Sequence, residues 1–139
     1  MNVRVLLVLV SCALSVITGL VIARGGVGVT AARQRPLIGL SMDTLKEERW
    51  QRDRDRFVEE ARALGAEVLV QSANSDDATQ MRDVESLISS GVSVMVIVPH
   101  NGEAMAQGVR ASRAAGIPVI SYDRLIRDSD VDLYISFDN

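Results

Sequence analysis

The chain has 139 residues, enough for one domain and short of two. Its formal charge is −3 with the two signs mixed along the chain, so no basic stripe forms that would track a nucleic-acid backbone. A single histidine and a single cysteine supply neither a metal donor set nor a nucleophile–base pair, which speaks against metal chemistry and against an enzyme.

Residues 1–31 read as an export segment. Arg4 leads an apolar run from Val5 to Ala23, a Gly-rich stretch follows Arg24, and "VTA" ends at Ala31 in a small-residue cleavage pattern. The run is also close to the ~20 residues that cross a bilayer. A retained anchor, touching the membrane through residues 1–23, is therefore the alternative. Cys12 stands in "LVSC", a lipobox-like setting, but the apolar run continues well past it. Cleavage after Ala31 leaves thirteen basic against eighteen acidic side chains, a charge of −5, and no thiol. "RGGVGV" precedes the first strand instead of following it, so it is not a phosphate-binding loop.

From Pro36 onward short apolar runs alternate with helical patterns. "LIGLSM" is too short for a helix and leads into the charged helix "LKEERWQRDRDRF", which runs on toward Gly65. "AEVLVQS", the turn "ANSDDA" and the helical "TQMRDVESLISSG" come next, with Asp76 or Asp77 at the helix start. "VSVMVIVP" precedes a helix over "HNGEAMAQGVRASRAAG", and "IPVISY" is joined through "DRLIRDSD" to "VDLYISFDN". Gly65, Gly91 and Gly116 sit where the three helices end, as C-cap residues do. Continuous apolar runs such as Val94–Val98 suit strands buried on both faces. The expected fold is α/β: a three-layer open parallel sheet with helices on both faces.

Ligands of such sheets bind beyond the carboxyl ends of the strands. Four stretches qualify: Asp43–Trp50, Gln71–Asp77, Pro99–Gly102 and Tyr122–Arg127. On the first helix Phe57, Val58, Ala61 and Leu64 form one apolar stripe that continues back to Arg54 and Trp50. Pairs such as Glu48–Arg52 and Arg49–Asp53 account for much of the charge as helix support, but not for the Trp. An indole at the mouth of the cleft offers an apolar face and a polar edge, which matches a sugar ring. In "SYDR", Asp123 supplies only acceptors and Arg124 only donors, so together they serve both sides of sugar hydroxyls; an N-cap Asp beside a solvated Arg is the plainer reading. His100 is a loop histidine without a second His or Cys to help it, and Asn101 is placed to cap the helix that follows. A phosphoacceptor receiver domain would need an Asp where the third strand ends in Pro99 and His100.

"ERWQRDRD", "VQSAN", "VPHNG" and "YDR…YISFDN" together resemble the xylose-binding branch of the type I periplasmic binding proteins, the sugar-capturing components of bacterial ABC importers. The resemblance covers nearly all of 36–139. It implies that Arg49 and Trp50, at the start of the first helix, and Asp123 and Arg124, after the fourth strand, contact a pentose. It also implies no cofactor and no metal, D-xylose or a related monosaccharide as ligand, a membrane permease as partner, and an exported, periplasmic location. Family members clamp the sugar between two lobes, and "FDN" is where the first crossing to the second lobe is expected. Residues 36–139 are thus expected to be an incomplete N-terminal lobe. A membrane-held sensor that reports sugar to a signalling partner is the alternative function.

Overall fold

The structure, a computed structural model, describes residues 35–137. The expected export segment, with Cys12 and the Ala31 cleavage point, lies outside the described residues. The described residues form five strands: β1 (Leu37–Met42), β2 (Glu67–Ser72), β3 (Val94–Ile97), β4 (Val119–Tyr122) and β5 (Leu133–Ile135). Three helices, α1 (Glu48–Ala63), α2 (Asp77–Ser89) and α3 (Ala106–Ala114), fill the first three connections. The sheet order is β2-β1-β3-β4-β5 and every pairing is parallel. The chain therefore adopts the α/β architecture expected from its alternating runs.

The strand pattern explains the layering. Side chains of a strand alternate between faces, and along β3 both faces are apolar. Met95 and Ile97 join Val84, Leu87, Met105 and Val109 in a core under α2 and α3. Val96 and Val98 join Leu40, Met42 and Trp50 in a second core under α1. Burial on both sides is why this strand reads as an unbroken apolar run. Met95 is fully buried, and truncating it to Ala would cost about 2–5 kcal/mol.

Asp76 caps α2, its Oδ1 accepting the Thr79 N–H at 2.7 Å. Gly65, Gly91 and Gly116 follow the helices at φ +86°, +74° and +75°, the left-handed conformation that ends a helix. Two details differ from the sequence pattern. Leu64 is 86% exposed, because it stands at the C-cap of α1, beyond the last helical residue. The helix expected across 100–116 is shorter, since residues 101–105 form a turn. Asn101 Oδ1 accepts the N–H groups of Glu103 (2.9 Å) and Ala104 (3.2 Å), while the Gly102 carbonyl is taken by Arg127 N–H. Asn101 therefore caps that turn and not the helix itself.

Among the described residues helix α1 alone covers its face of the sheet. A groove of about 560 Å³ remains beside it, lined by Leu40, Phe57, Val96, Ile120 and Tyr122 among others. Among the described residues β5 is the edge strand on its side of the sheet, and its three residues are all exposed.

Candidate functional site

Strand β1 pairs with β2 on one side and β3 on the other, so the chain changes direction of travel across the sheet at this point. Such a switch opens a crevice at the carboxyl ends of the two strands. Asp43 follows β1 there, Pro99 and His100 follow β3, and Asp123 and Arg124 follow β4.

The turn after β4 is held in an unusual shape. Arg124 N–H donates to the Tyr122 carbonyl at 2.8 Å, closing a γ-turn around Asp123, whose φ is +66°. This left-handed conformation is costly for most side chains and best tolerated by Asn and Asp. Neighbours hold it in place. Asp123 N–H donates to the Ile135 carbonyl at 2.8 Å, and the Ser121 hydroxyl accepts the Ile126 N–H at 3.1 Å while donating to the Arg124 carbonyl. Backbone strain maintained by surrounding contacts is a feature of functional sites. Among the described residues the Asp123 carboxylate accepts from Arg49 and not from a backbone N–H of the turn that follows, so it does not act there as a cap.

Four charged groups interlock across the crevice. Arg49, on the first turn of α1, places Nη2 2.6 Å from Asp123 Oδ1. Its guanidinium lies 4.7 Å from the Trp50 ring and 4.9 Å from the Phe137 ring, an aromatic bracket that favours a cation. Arg124 Nη1 donates to Asp43 Oδ2 at 2.8 Å and to the Pro99 carbonyl at 3.0 Å. Its guanidinium also faces Trp50, at 5.7 Å. The Asp43 side chain is only 5% exposed, whereas those of Arg49 and Arg124 are 51% and 43% exposed and remain open to a ligand. Burial, with the negative charges of Asp53 and Asp123 nearby, pushes the Tyr122 hydroxyl above its usual pKa, so the ring stays neutral beside the site.

The structure brings Arg49, Trp50, Asp123 and Arg124 into one cluster. Trp50 differs from expectation in depth: it is 6% exposed and belongs to the core under α1. Its ring is a floor under two guanidinium groups more than an open stacking face. His100 stands at the rim, 38% exposed, with Nδ1 3.0 Å from Asp43 Oδ1 but not aligned for a hydrogen bond. Arg54 turns aside to Asp55, 2.8 Å away.

Three supporting residues were not singled out in the sequence. Asp43 lies within the first of the four stretches, and an acid directly after an apolar strand is its signal. Gln80 is fully buried on α2; it donates to the Val98 carbonyl at 2.9 Å and accepts the His100 N–H at 2.9 Å. A Gln on the same inward stripe as Val84 and Leu87 was the available clue. Ser121, buried near the end of β4, opens "SYDR", but nothing local marks its hydroxyl as a prop for the turn that follows.

Gly102 permits the loops to meet. A Cβ there would overlap the Leu125 carbonyl oxygen, so only glycine lets the turn after β3 approach the turn after β4 this closely. Chemically the site offers fixed donors and acceptors on a hydrophobic floor. Among the described residues no three His, Cys, Asp or Glu side chains gather as a metal site. Such a surface suits a neutral, many-hydroxyl ligand.

A family model described as a periplasmic binding protein domain matches residues 38–139. The D-xylose-binding periplasmic protein of Escherichia coli (strain K12) is 50% identical over 111 residues, which cover 80% of this chain and 34% of that protein. A carbohydrate-transporter solute-binding protein from Chloroflexus aurantiacus, solved with D-glucose, superposes with a TM-score of 0.68 at 43% identity, covering 73% of this chain and 30% of its own. The fructose-binding periplasmic domain of a hybrid two-component system superposes at 0.63 with 27% identity, covering 71% of this chain and 33% of its own. The chain thus spans about a third of the length of the relatives it matches.

Proposed function

The chain belongs to the periplasmic binding protein domain family, a family of sugar-binding proteins and not of enzymes, and from that premise we propose that it is the N-terminal lobe of an exported D-xylose-binding protein. The protein would deliver the sugar to the membrane permease of an ABC importer. The Escherichia coli relative is periplasmic by name, and the same location is proposed here.

The interlocked set of Arg49, Asp123, Arg124 and Asp43 at the carboxyl edge of the sheet carries this reading. Guanidinium groups donate to sugar oxygens and the Asp123 carboxylate accepts from sugar hydroxyls, while the exposed Phe137 offers an apolar surface and Trp50 the floor beneath the guanidinium groups. The half-exposed arginines have one open side, which a second lobe would close. Titration calorimetry of the full-length protein against xylose, ribose, glucose and fructose tests the assignment. Saturable binding with xylose preferred is expected, and binding of a sugar other than xylose in preference would refute the specificity.

The sensor reading is supported by one observation, the likeness to the periplasmic domain of a two-component system. N-terminal mass spectrometry separates the two. A mature chain beginning after Ala31 is expected for an importer component; residues 1–23 retained in the membrane fraction would instead favour the sensor.

A further inference from the structure

We infer that Asp43 is a positioning residue that sets the orientation of Arg124 for the sugar, an inference that rests on the binding reading above. Arg124 Nη1 carries two N–H groups, and both are used inside the lobe, one on Asp43 Oδ2 and one on the Pro99 carbonyl. Nε is 3.8 Å from Asp123 Oδ2, beyond hydrogen-bond range. The Nε–Nη2 edge of the guanidinium therefore has no hydrogen bond among the described residues. A guanidinium is planar and rigid, so fastening one nitrogen at two points fixes the direction of the opposite edge. That edge presents parallel N–H groups, a spacing that fits two neighbouring oxygens of a sugar better than a single one.

The burial of Asp43 argues for this task over a structural one. Its carboxylate is 5% exposed and caps no helix, since α1 begins at a Glu47 N-cap that makes no side-chain bond. Among the described residues the ionisable partners of its carboxylate are Arg124 and His100, both from loops that line the crevice. A buried carboxylate is costly unless paired, so Arg124 is held inward even when no ligand is bound. Asp43 thus prepares one donor edge in advance, which reduces the ordering cost of binding.

The test is a set of xylose titrations on the full-length protein. Asp43→Ala is expected to weaken binding at least ten-fold. Asp43→Asn, which keeps an oxygen acceptor for Nη1, is expected to recover part of that loss. In an Arg124→Ala background, Asp43→Ala is expected to cause no further loss, because the group it positions is gone. Equal losses in both backgrounds would overturn the inference while leaving the site intact. If Arg124→Ala itself binds xylose normally, the binding reading falls and this inference with it. Nitrogen-15 spectra of the arginine side chains in the unliganded protein, assigned with Arg124→Lys, give an independent check that requires no Asp43 variant to fold. Hindered rotation of the Arg124 guanidinium supports the fixed edge, and free rotation refutes it.

Discussion

Replacing Asp123 by Asn should separate the role of this residue in binding from its role in folding. The residue does two things at once: it pairs with Arg49 at 2.6 Å, and it occupies a γ-turn at φ +66°. Asn tolerates that conformation about as well as Asp, so the turn should survive. The lost ion pair involves an Arg that is 51% exposed, where solvent screens the charge, so the stability cost should stay under about 1 kcal/mol. Binding should suffer more. A hydrogen bond to a charged group contributes about 1.5–3 kcal/mol, which corresponds to roughly a ten- to hundred-fold loss of xylose affinity. Asp123→Ala should lose that affinity and also about 1–2 kcal/mol of stability, because an Ala side chain resists the left-handed backbone. Urea denaturation and calorimetric titration of the full-length protein measure the two quantities separately. If Asp123→Asn loses stability and keeps its affinity, Asp123 is a turn residue and the site assignment is wrong. Arg56→Ala, on the exposed face of α1, should alter neither.

Gly102→Ala should destabilise the lobe by about 1–3 kcal/mol, since its Cβ would overlap the Leu125 carbonyl oxygen and backbone must move. Xylose affinity should fall with it; an unchanged denaturation midpoint would show that the loops are not packed as described. Stability should decline as pH falls below about 4. Thr79 hydrogen bonds hold Asp76 below the usual carboxylate pKa, and bonds from Val119 N–H and Arg113 do the same for Asp132. Both contributions are present above the ordinary carboxylate range and are lost as pH drops through the lowered values. An Asp76→Asn, Asp132→Asn double variant should therefore melt lower than wild type at pH 7 and converge on it in acid; parallel melting curves against pH would contradict this. Residues 32–139 alone should show no saturable rise in melting temperature with millimolar xylose. Three or four solvent-exposed hydrogen bonds at ~0.5–1.5 kcal/mol each barely offset the ~4 kcal/mol or more of lost motional freedom. A saturable rise would instead indicate a lobe that builds its own second jaw.

Much of the fold was legible because its signals are local. Val94–Val98 reads as a strand with core on both sides, and that is the strand that Met95 and Val96 anchor from opposite faces. Gly65, Gly91 and Gly116 mark helix ends through a backbone conformation that needs no partner. The helix start at Asp76 is equally local, a carboxylate reaching an N–H three residues on. Of the four proposed contact residues, Trp50 is marked in the sequence by its place on the helical stripe and Asp123 and Arg124 by an Asp–Arg pair at a strand end, while Arg49 comes through the resemblance.

Other features depended on which segments meet. Trp50 reads as a cleft-mouth aromatic because a helical stripe reports direction and not depth; the sheet beneath α1 buries it. The turn over 101–105 replaces an expected helical stretch because Gly102 is drawn against Leu125, a residue far along the chain. Asp43, Gln80 and Ser121 act through partners 18 to 81 positions away or through a strained turn. The sequence by itself determined the strands, the helix ends and the edge of the sheet where a ligand would bind, since these follow from periodicity and local backbone preference. Only the tertiary structure decided how Arg124 is aimed, because its orientation depends on a buried carboxylate and a carbonyl that come from two other strand ends.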